Sequence, residues 1–460
     1  MSIPGLGQII PQAAAASSTR TITLQPLWEW RFQVPRSNSA GVTVRLLNGT
    51  AERDGTSLAL NRTYTFIRTK SKLLTWYGCV LEVEGECTEH VAKHNPHTSA
   101  EVAFVNLHFA LQERRAAVQK AAPVTGAAGK SPQGPRVMIC GPDGTGKTTL
   151  ARTLTALAQR MGSQPLLANV SPEEGLLSLP GTMSAAVYGN IMDVEEPSGG
   201  LGVRNTPTSG PSAVPVKLPM VYYFGREKVE DDVPLWRALV SRLASSVRAK
   251  INAVDKVRSS DLIIDTPAFD PTKSGDMDLL AHVVNEFAVN IVVILSSTAM
   301  ETELERRLAQ TKTPLGEVIT ILALDKSDGV AERDKAWKRS DREEAIREYF
   351  FGDLKKTLSP FTHLVSYDEL AIFRLPEGTG PLVSAEVSAE MSNWTIAVMD
   401  ASVNDPPKTI QLAPVMGFIA VAEVDEDRRR LKFLSPVSGR LGNRPLVWAR
   451  WPEPYINLLG

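Results

Sequence analysis

Residues 141–148 read Gly-Pro-Asp-Gly-Thr-Gly-Lys-Thr, a complete Gly-x-x-x-x-Gly-Lys-Thr phosphate-binding loop. The spacing has a mechanism. Gly141, Gly144 and Gly146 let the backbone wrap a phosphate chain with its N–H groups turned inward. Lys147 has the reach for the β and γ phosphates, and the Thr148 hydroxyl is placed to ligate Mg²⁺. This pattern predicts nucleoside triphosphate binding.

Such a loop holds phosphates and leaves the reaction to other residues. Asp265 ends the apolar run Leu262-Ile263-Ile264, where a strand-end carboxylate holds Mg²⁺ or its water or senses the γ-phosphate; the plainer reading is a turn-capping Asp. The strip Glu332–Lys356 reads as a helix carrying Arg333, Lys338, Arg339, Arg342 and Arg347. It is either a solvated mixed-charge face or a lid whose guanidinium groups close over transferring phosphate. Asp325-Lys326-Ser327-Asp328 is weakly similar to a guanine-reading segment, which keeps a GTPase switch as a rival.

The elements that must position these groups follow from apolar periodicity. Arg136–Cys140 reads as a short buried strand, and Thr148–Met161 as a helix with Leu150, Leu154 and Leu157 on one face. The loop therefore ends on a helix N-terminus, which favours anions. Further strands are expected at Leu166–Val170, Leu262–Asp265, Ile291–Leu295 and Val318–Ala323, with helices at Leu235–Ile251, Met277–Phe287 and Met300–Leu308. That alternation predicts a parallel sheet with helices on both faces. Before it, Thr43–Leu47, Tyr64–Arg68, Leu73–Trp76 and Val80–Val83 alternate with Asn-Gly and Asp-Gly turns, as in an antiparallel β-sandwich closed by a helix at Val105–Gln119. After it, strands are expected at Leu364–Ser366, Ile372–Leu375, Gly417–Val424 and Leu431–Leu434.

The expected fold class is α/β: a central P-loop parallel sheet flanked by an N-terminal β-sandwich and a C-terminal β-rich α+β domain. The expected segments are a disordered tail at 1–20, the sandwich at 21–120 and a linker at 121–134. The P-loop domain then occupies 135–352, with its lid helix near 332–350, and the C-terminal domain 353–460. A Gly/Ser/Pro/Thr-rich insertion at Pro197–Ala213 reads as a surface loop.

Bulk properties narrow the class. The chain has 460 residues, 43% apolar and 22% charged, as in an ordinary globular protein of two or three domains. A net charge of −1 leaves any nucleic-acid contact to a local basic patch. The three cysteines form neither a disulfide framework nor a zinc spacing, so a reducing compartment is expected. The N-terminus lacks a basic n-region, and Phe287–Leu295 is too short and polar to span a bilayer. No membrane partner is expected.

Several stretches together resemble one family, the Clp-type eukaryotic polyribonucleotide 5′-hydroxyl kinases of the pre-mRNA cleavage and polyadenylation machinery. They are Glu29-Trp30-Arg31-Phe32, Thr75-Trp76-Tyr77-Gly78-Cys79, the P-loop, Pro180-Gly181-Thr182-Met183 and Val221-Tyr222-Tyr223-Phe224-Gly225. Lys326-Ser327-Asp328-Gly329-Val330, Glu332-Arg333, Ile346-Arg347-Glu348-Tyr349-Phe350 and Gly417-Phe418-Ile419-Ala420-Val421 complete the series. The resemblance implies ATP with Mg²⁺ as cofactors and an N-terminal domain that covers the nucleotide, with Glu29 and Lys70 around adenine. It makes Gly144, Thr145, Gly146, Lys147, Thr148 and Thr149 the phosphate cradle and Arg333–Arg347 part of a lid. It also turns Asp325–Asp328 into a family Lys-Ser-x-Gly stretch.

Two departures qualify the implied activity. Active relatives end the strand after the P-loop helix in an Asp that takes the proton of the RNA 5′-hydroxyl, and the counterpart here is Ser171. Losing a positioned base costs on the order of 10²–10⁴ in rate. Phe269 stands near where active relatives place a base-stacking Trp. The resemblance thus implies an ATP-bound, catalytically silent scaffold in the nucleus, partnered by the cleavage-factor subunit that reads the polymerase tail and by other 3′-end processing subunits. An active RNA 5′-hydroxyl kinase is the alternative.

Overall fold

The computed structural model describes residues 19–38, 40–120, 132–196, 219–353, 357–438, 441, 443–455 and 458. The expected tail at 1–20 lies almost wholly, the linker at 121–134 largely, and the insertion at Pro197–Ala213 wholly outside the described residues. Two compact units emerge. One is built from the chain up to Arg53, Ser57–Pro96 and a short return segment beginning at Val194; the other takes Asp54–Thr56, His97–Asp193 and the rest.

In the first unit, Val42–Gly49 buries Val42, Val44 and Leu46 and turns the residues between them outward. This period-2 alternation packs one sheet face on another. Arg20–Leu24, Cys79–Glu84, Val42–Gly49 and Thr63–Phe66 are neighbours in one sheet, while Trp28–Gln33 lies between Lys70–Thr75 and Thr88–Lys93 in the other. Trp30 stacks on Phe32, which meets Phe66 edge-on in the shared core. The return segment is held by the Arg53 guanidinium, which donates to the carbonyls of Val194 at 2.5 Å and Glu196 at 2.9 Å.

The second unit opens with helix α1 (Ala100–Lys120) and continues through β1 (Arg136–Cys140), α2 (Lys147–Arg160), β2 (Leu166–Asn169), β3 (Thr182–Val187) and β4 (Met220–Tyr223). Then follow α3 (Val233–Ala253), β5 (Leu262–Asp265), α4 (Ser274–Glu286), β6 (Ile291–Leu295), α5 (Thr298–Leu308), β7 (Thr320–Leu324) and α6 (Lys335–Phe351). The sheet order is β4-β3-β2-β5-β1-β6-β7. Strands β1, β5 and β6 are buried along their whole length, because helices cover both faces. Leu150, Leu154 and Leu157 of α2 are buried as their spacing predicts.

One expectation needs correction. The sheet is mixed: β2, β5, β1, β6 and β7 are parallel, but β3 runs antiparallel to both β2 and β4. The sequence Thr-Met-Ser-Ala-Ala-Val of β3 is rich in small residues and short of β-branched ones, so its strand character comes from a buried pairing partner rather than from propensity. β3 follows β2 as its antiparallel neighbour, a pairing that needs no crossover helix between the two.

The C-terminal sheet belongs to the same compact unit. Its neighbours run Phe361–Ser366, Arg430–Ser435, Val415–Asp425, Thr395–Met399, Pro445–Trp448, Ala371–Arg374 and Val383–Ser384. It is tied to α6 by the Phe418 amide, which donates to the Tyr349 hydroxyl at 3.0 Å, and by an ion pair from Arg342 to Glu453 at 2.6 Å. No helix of the described residues is long and apolar enough to cross a membrane.

Candidate nucleotide-binding site

The register of the parallel strands assembles the site. Asp265 of β5 lies beside Ile139 of β1 and Asn169 of β2, so the phosphate loop, the Asp265 carboxylate and the turn at Ser171 share the C-terminal edge of the sheet. Ligands of open α/β sheets bind at that edge. Gly141, Gly144 and Gly146 have φ of 148°, 66° and 86°, where a side chain is strained. A Cβ at Gly141 would stand 2.6 Å from the Leu295 carbonyl, so the loop is seated on the end of β6; around Gly144 nothing lies within 4 Å. The loop therefore has a packed side and an open side.

Gly146 enters α2 with no side-chain cap, whereas Asp232, Ser297 and Asp334 cap α3, α5 and α6. The first amides of α2 are thus left to an anion. Lys147 is buried, and its Nζ donates to the carbonyls of Gly141 at 3.1 Å and Pro142 at 2.8 Å. Burial lowers its pKa, against the attraction of Asp265 and Asp143. Thr145 donates to the Pro142 carbonyl at 2.9 Å and braces the loop. Thr149 accepts from Arg152 at 3.4 Å.

Thr148 donates to Oδ2 of Asp265 at 2.6 Å. Asp265 is buried, and burial lifts its carboxyl to about 6 against the Thr148 hydrogen bond and the Lys147 charge. Its Oδ1 is buried without a partner. A buried carboxylate oxygen left over beside a hydroxyl is a donor set for a hard cation or its water.

Ser171 is half-buried at the end of β2, and its backbone is fixed on both sides by one side chain. Asn169 Nδ2 donates to the Ser171 carbonyl at 2.8 Å, and the Ser171 amide donates to Asn169 Oδ1 at 3.1 Å. The Trp236 indole donates to the neighbouring Val170 carbonyl at 3.0 Å. Glu173 is paired with Lys338 at 3.1 Å and Glu174 with Arg333 at 3.6 Å. Phe269 is buried and meets Trp236 edge-on at 6.1 Å, so its ring packs in the core against α3.

The lid residues divide. Arg333 precedes α6 and Lys338 bridges to Asp143 of the loop at 3.1 Å. Arg339 pairs with Glu343 and Arg347 with Glu344 along the same helix. Arg342 is buried under Trp451, 4.5 Å from the ring centroid, and forks onto Glu453. The helix ends at Gly352 (φ 77°), so the strip expected to run to Lys356 stops earlier. Ser327 is buried and donates to Glu101 at 2.5 Å, which braces the Asp325–Asp328 stretch. Nothing in the sequence pointed to the Asn169 clamp or the Lys338 bridge, since both join residues through the fold.

Within the first unit, Lys70 is half-buried opposite Gln33. Glu29 is fully buried, with Lys72 at 3.2 Å, His94 at 3.0 Å and Arg31 also paired to it. Burial would raise its carboxyl, but the His94 hydrogen bond and the charges of Lys72, His94 and Arg31 outweigh that and hold it at about 2. A depressed folded pKa stabilises above the unfolded value near 4.5 and loses that contribution as pH falls toward 2. Glu29→Gln therefore lowers the thermal midpoint at pH 7, by the equivalent of roughly 3 kcal/mol at most, and the difference from wild type shrinks between pH 4.5 and 2.5. An equal loss at pH 3 and pH 7 would refute the ion-pair account.

A glycine-strained loop between a buried strand and an uncapped helix, with a threonine hydroxyl on a strand-end carboxylate, defines a P-loop nucleotide-binding protein. Comparison with known proteins narrows this. Residues 141–352 match the family described as the mRNA cleavage and polyadenylation factor CLP1 P-loop. Residues 23–118 match the N-terminal beta-sandwich domain of polyadenylation factor, and 358–453 the pre-mRNA cleavage complex II protein Clp1. The mRNA cleavage and polyadenylation factor CLP1 of Chaetomium globosum is 58% identical, with both chains covered in full. Its Neurospora crassa counterpart is 52% identical, again over all of both chains. The chain belongs to the CLP1 family of mRNA cleavage and polyadenylation factors.

Two solved structures share the fold. A wild-type Clp1p–Pcf11p complex superposes with a TM-score of 0.82 at 27% identity, covering 95% of this chain and 98% of that one. A second, described as showing the extended Pcf11p–Clp1p interface and the structural basis for ATP loss in a point mutant, gives 0.83 at 27% identity, covering 95% and 99%.

Proposed function

We propose that this chain is an ATP-binding scaffold subunit of the nuclear machinery that cleaves and polyadenylates pre-mRNA, with no effective RNA 5′-hydroxyl kinase activity. One observation carries the reading: the phosphate-binding half of the site is complete while the proton-accepting half is not. Gly144–Thr149 would hold the phosphates. Thr148 and Asp265, whose Oδ1 lacks a partner, fit Mg²⁺ or its water. The ion would neutralise phosphate charge when bound. Ser171, by contrast, has no basicity at neutral pH, and its backbone is clamped by Asn169. Glu173 and Glu174, the nearest substitutes in sequence, are engaged by Lys338 and Arg333.

The solved relatives described with Pcf11p support a partner of the same kind, the cleavage-factor subunit that reads the polymerase tail. RNA remains a secondary ligand in this reading, because Phe269 is committed to the core.

Purified protein, denatured and resolved by anion exchange, is expected to release ATP in near-stoichiometric amount. Recovery of mostly ADP or a guanine nucleotide would overturn the assignment. In the companion assay, γ-labelled ATP and a 5′-hydroxyl oligoribonucleotide give no product above background; robust phosphorylation would make the chain an active kinase instead.

A further inference from the structure

Helix α6 is held in two different ways along its length. Its C-terminal half buries Ile346, Tyr349 and Phe350, and Arg342 is pinned between Trp451 and Glu453. The segment 331–334 ahead of it is exposed, as are Lys335 and Ala336 at its start, and no residue of α6 before Arg342 is buried. That N-terminal half carries ion pairs to the loops beneath it. Lys338 Nζ donates to Asp143 Oδ2 and to Glu173 Oε1, both at 3.1 Å, and its side chain is only 17% exposed. Arg333 adds a looser pair to Glu174 at 3.6 Å. Asp143 in turn accepts from the Gly144 amide at 2.9 Å, so the bridge reaches the backbone of the phosphate loop itself.

The shielded ammonium group joins two carboxylates on different loops, Asp143 at 73% and Glu173 at 36% side-chain exposure. One carboxylate is the third residue of the P-loop, and the other lies two residues beyond Ser171. Because the far half of α6 is anchored in the core, breaking this bridge frees the near half without unfolding the helix.

We propose that Lys338 is a positioning residue that latches the N-terminal half of α6 across the phosphate loop and thereby slows the escape of bound nucleotide. The inference rests on the nucleotide-binding reading above and adds a determinant of retention to it. Most affinity differences among variants of one site lie in the dissociation rate, which is where a latch acts. A screened electrostatic latch also makes release faster at higher salt.

The test uses the full chain loaded with a fluorescent N-methylanthraniloyl-ATP and chased with excess unlabelled ATP. Lys338→Met is expected to speed release about 10-fold and to flatten its dependence on salt between 50 and 500 mM, while Lys338→Arg stays within about 3-fold of wild type. Glu173→Gln gives part of the effect, and the Lys338→Met/Glu173→Gln pair releases no faster than Lys338→Met alone, because both break one bridge. Release at the wild-type rate in Lys338→Met, or independent multiplication of the two effects, overturns the proposal. Amide hydrogen exchange across 333–341 gives a second readout that needs no nucleotide. It is expected to accelerate in Lys338→Met with the exchange of 345–351 unchanged, and equal exchange in the two proteins also overturns the latch. A wild type that binds no ATP would sink the nucleotide reading, while the exchange comparison still decides the latch.

Discussion

Replacing Lys147 and Thr148 together by alanine is expected to abolish ATP retention and to remove the thermal stabilisation that ATP confers. The double variant deletes the only lysine of the phosphate loop and the hydroxyl that meets Asp265. Ligand at a hundred-fold excess over its dissociation constant stabilises by about 2.7 kcal/mol. For a unit of this size that corresponds to a shift of roughly 3–4 °C. The substitution also harms the ligand-free protein, because the buried Asp265 carboxylate loses its donor, which costs about 1–3 kcal/mol. The informative quantity is therefore the rise in melting temperature on adding Mg²⁺-ATP, compared within each protein. Wild type should rise and the double variant should not. An equal rise in both would mean that the nucleotide is held elsewhere.

The contrast between what was and was not legible in the sequence has a physical origin. Arg136–Cys140, Leu262–Asp265 and Ile291–Leu295 were readable to the residue, since strands buried on both faces need unbroken apolar runs. The phosphate loop was readable because its glycines answer a local backbone demand. β3 was not, because its Ser-Ala-Ala core has no intrinsic strand preference and owes its conformation to β2 and β4. The lid shows the same limit within one helix. Its charge pattern predicted a helix, but only the fold decides that Lys338 faces Asp143 and Glu173 while Arg342 turns to Glu453. Phe269 was placed near a ligand by sequence position, and the demand of the α3 core for a ring against Trp236 took precedence.

One buried charge cluster is announced by no motif. Arg115 of α1 is completely buried and pairs with Asp261, the residue just before β5; its Nε and Nη2 also donate to Gln112 at 3.0 and 2.7 Å. Burial raises the Asp261 carboxyl to about 6 despite the attraction of Arg115, and lowers His108 to about 4 with help from the Arg115 charge. His108 is thus neutral at pH 7 and Arg115 is the cation that Asp261 depends on. Arg115→Leu leaves a buried carboxylate without its counter-charge, and breaking such a pair costs about 3–5 kcal/mol. A carboxyl with a raised folded pKa penalises the native state above that pKa, and the penalty is relieved as pH falls toward it. The variant should therefore lose more thermal stability at pH 7.5 than at pH 5, and Asp261→Asn added to it should recover at least half of the loss. Asp261 stands at the opposite end of β5 from Asp265, so the damage is also expected to weaken ATP binding, and saturating Mg²⁺-ATP should restore part of the melting temperature. A loss below about 1 kcal/mol, or one that is the same at pH 5 and pH 7.5, would show that Asp261 does not rely on Arg115 to remain charged in the core.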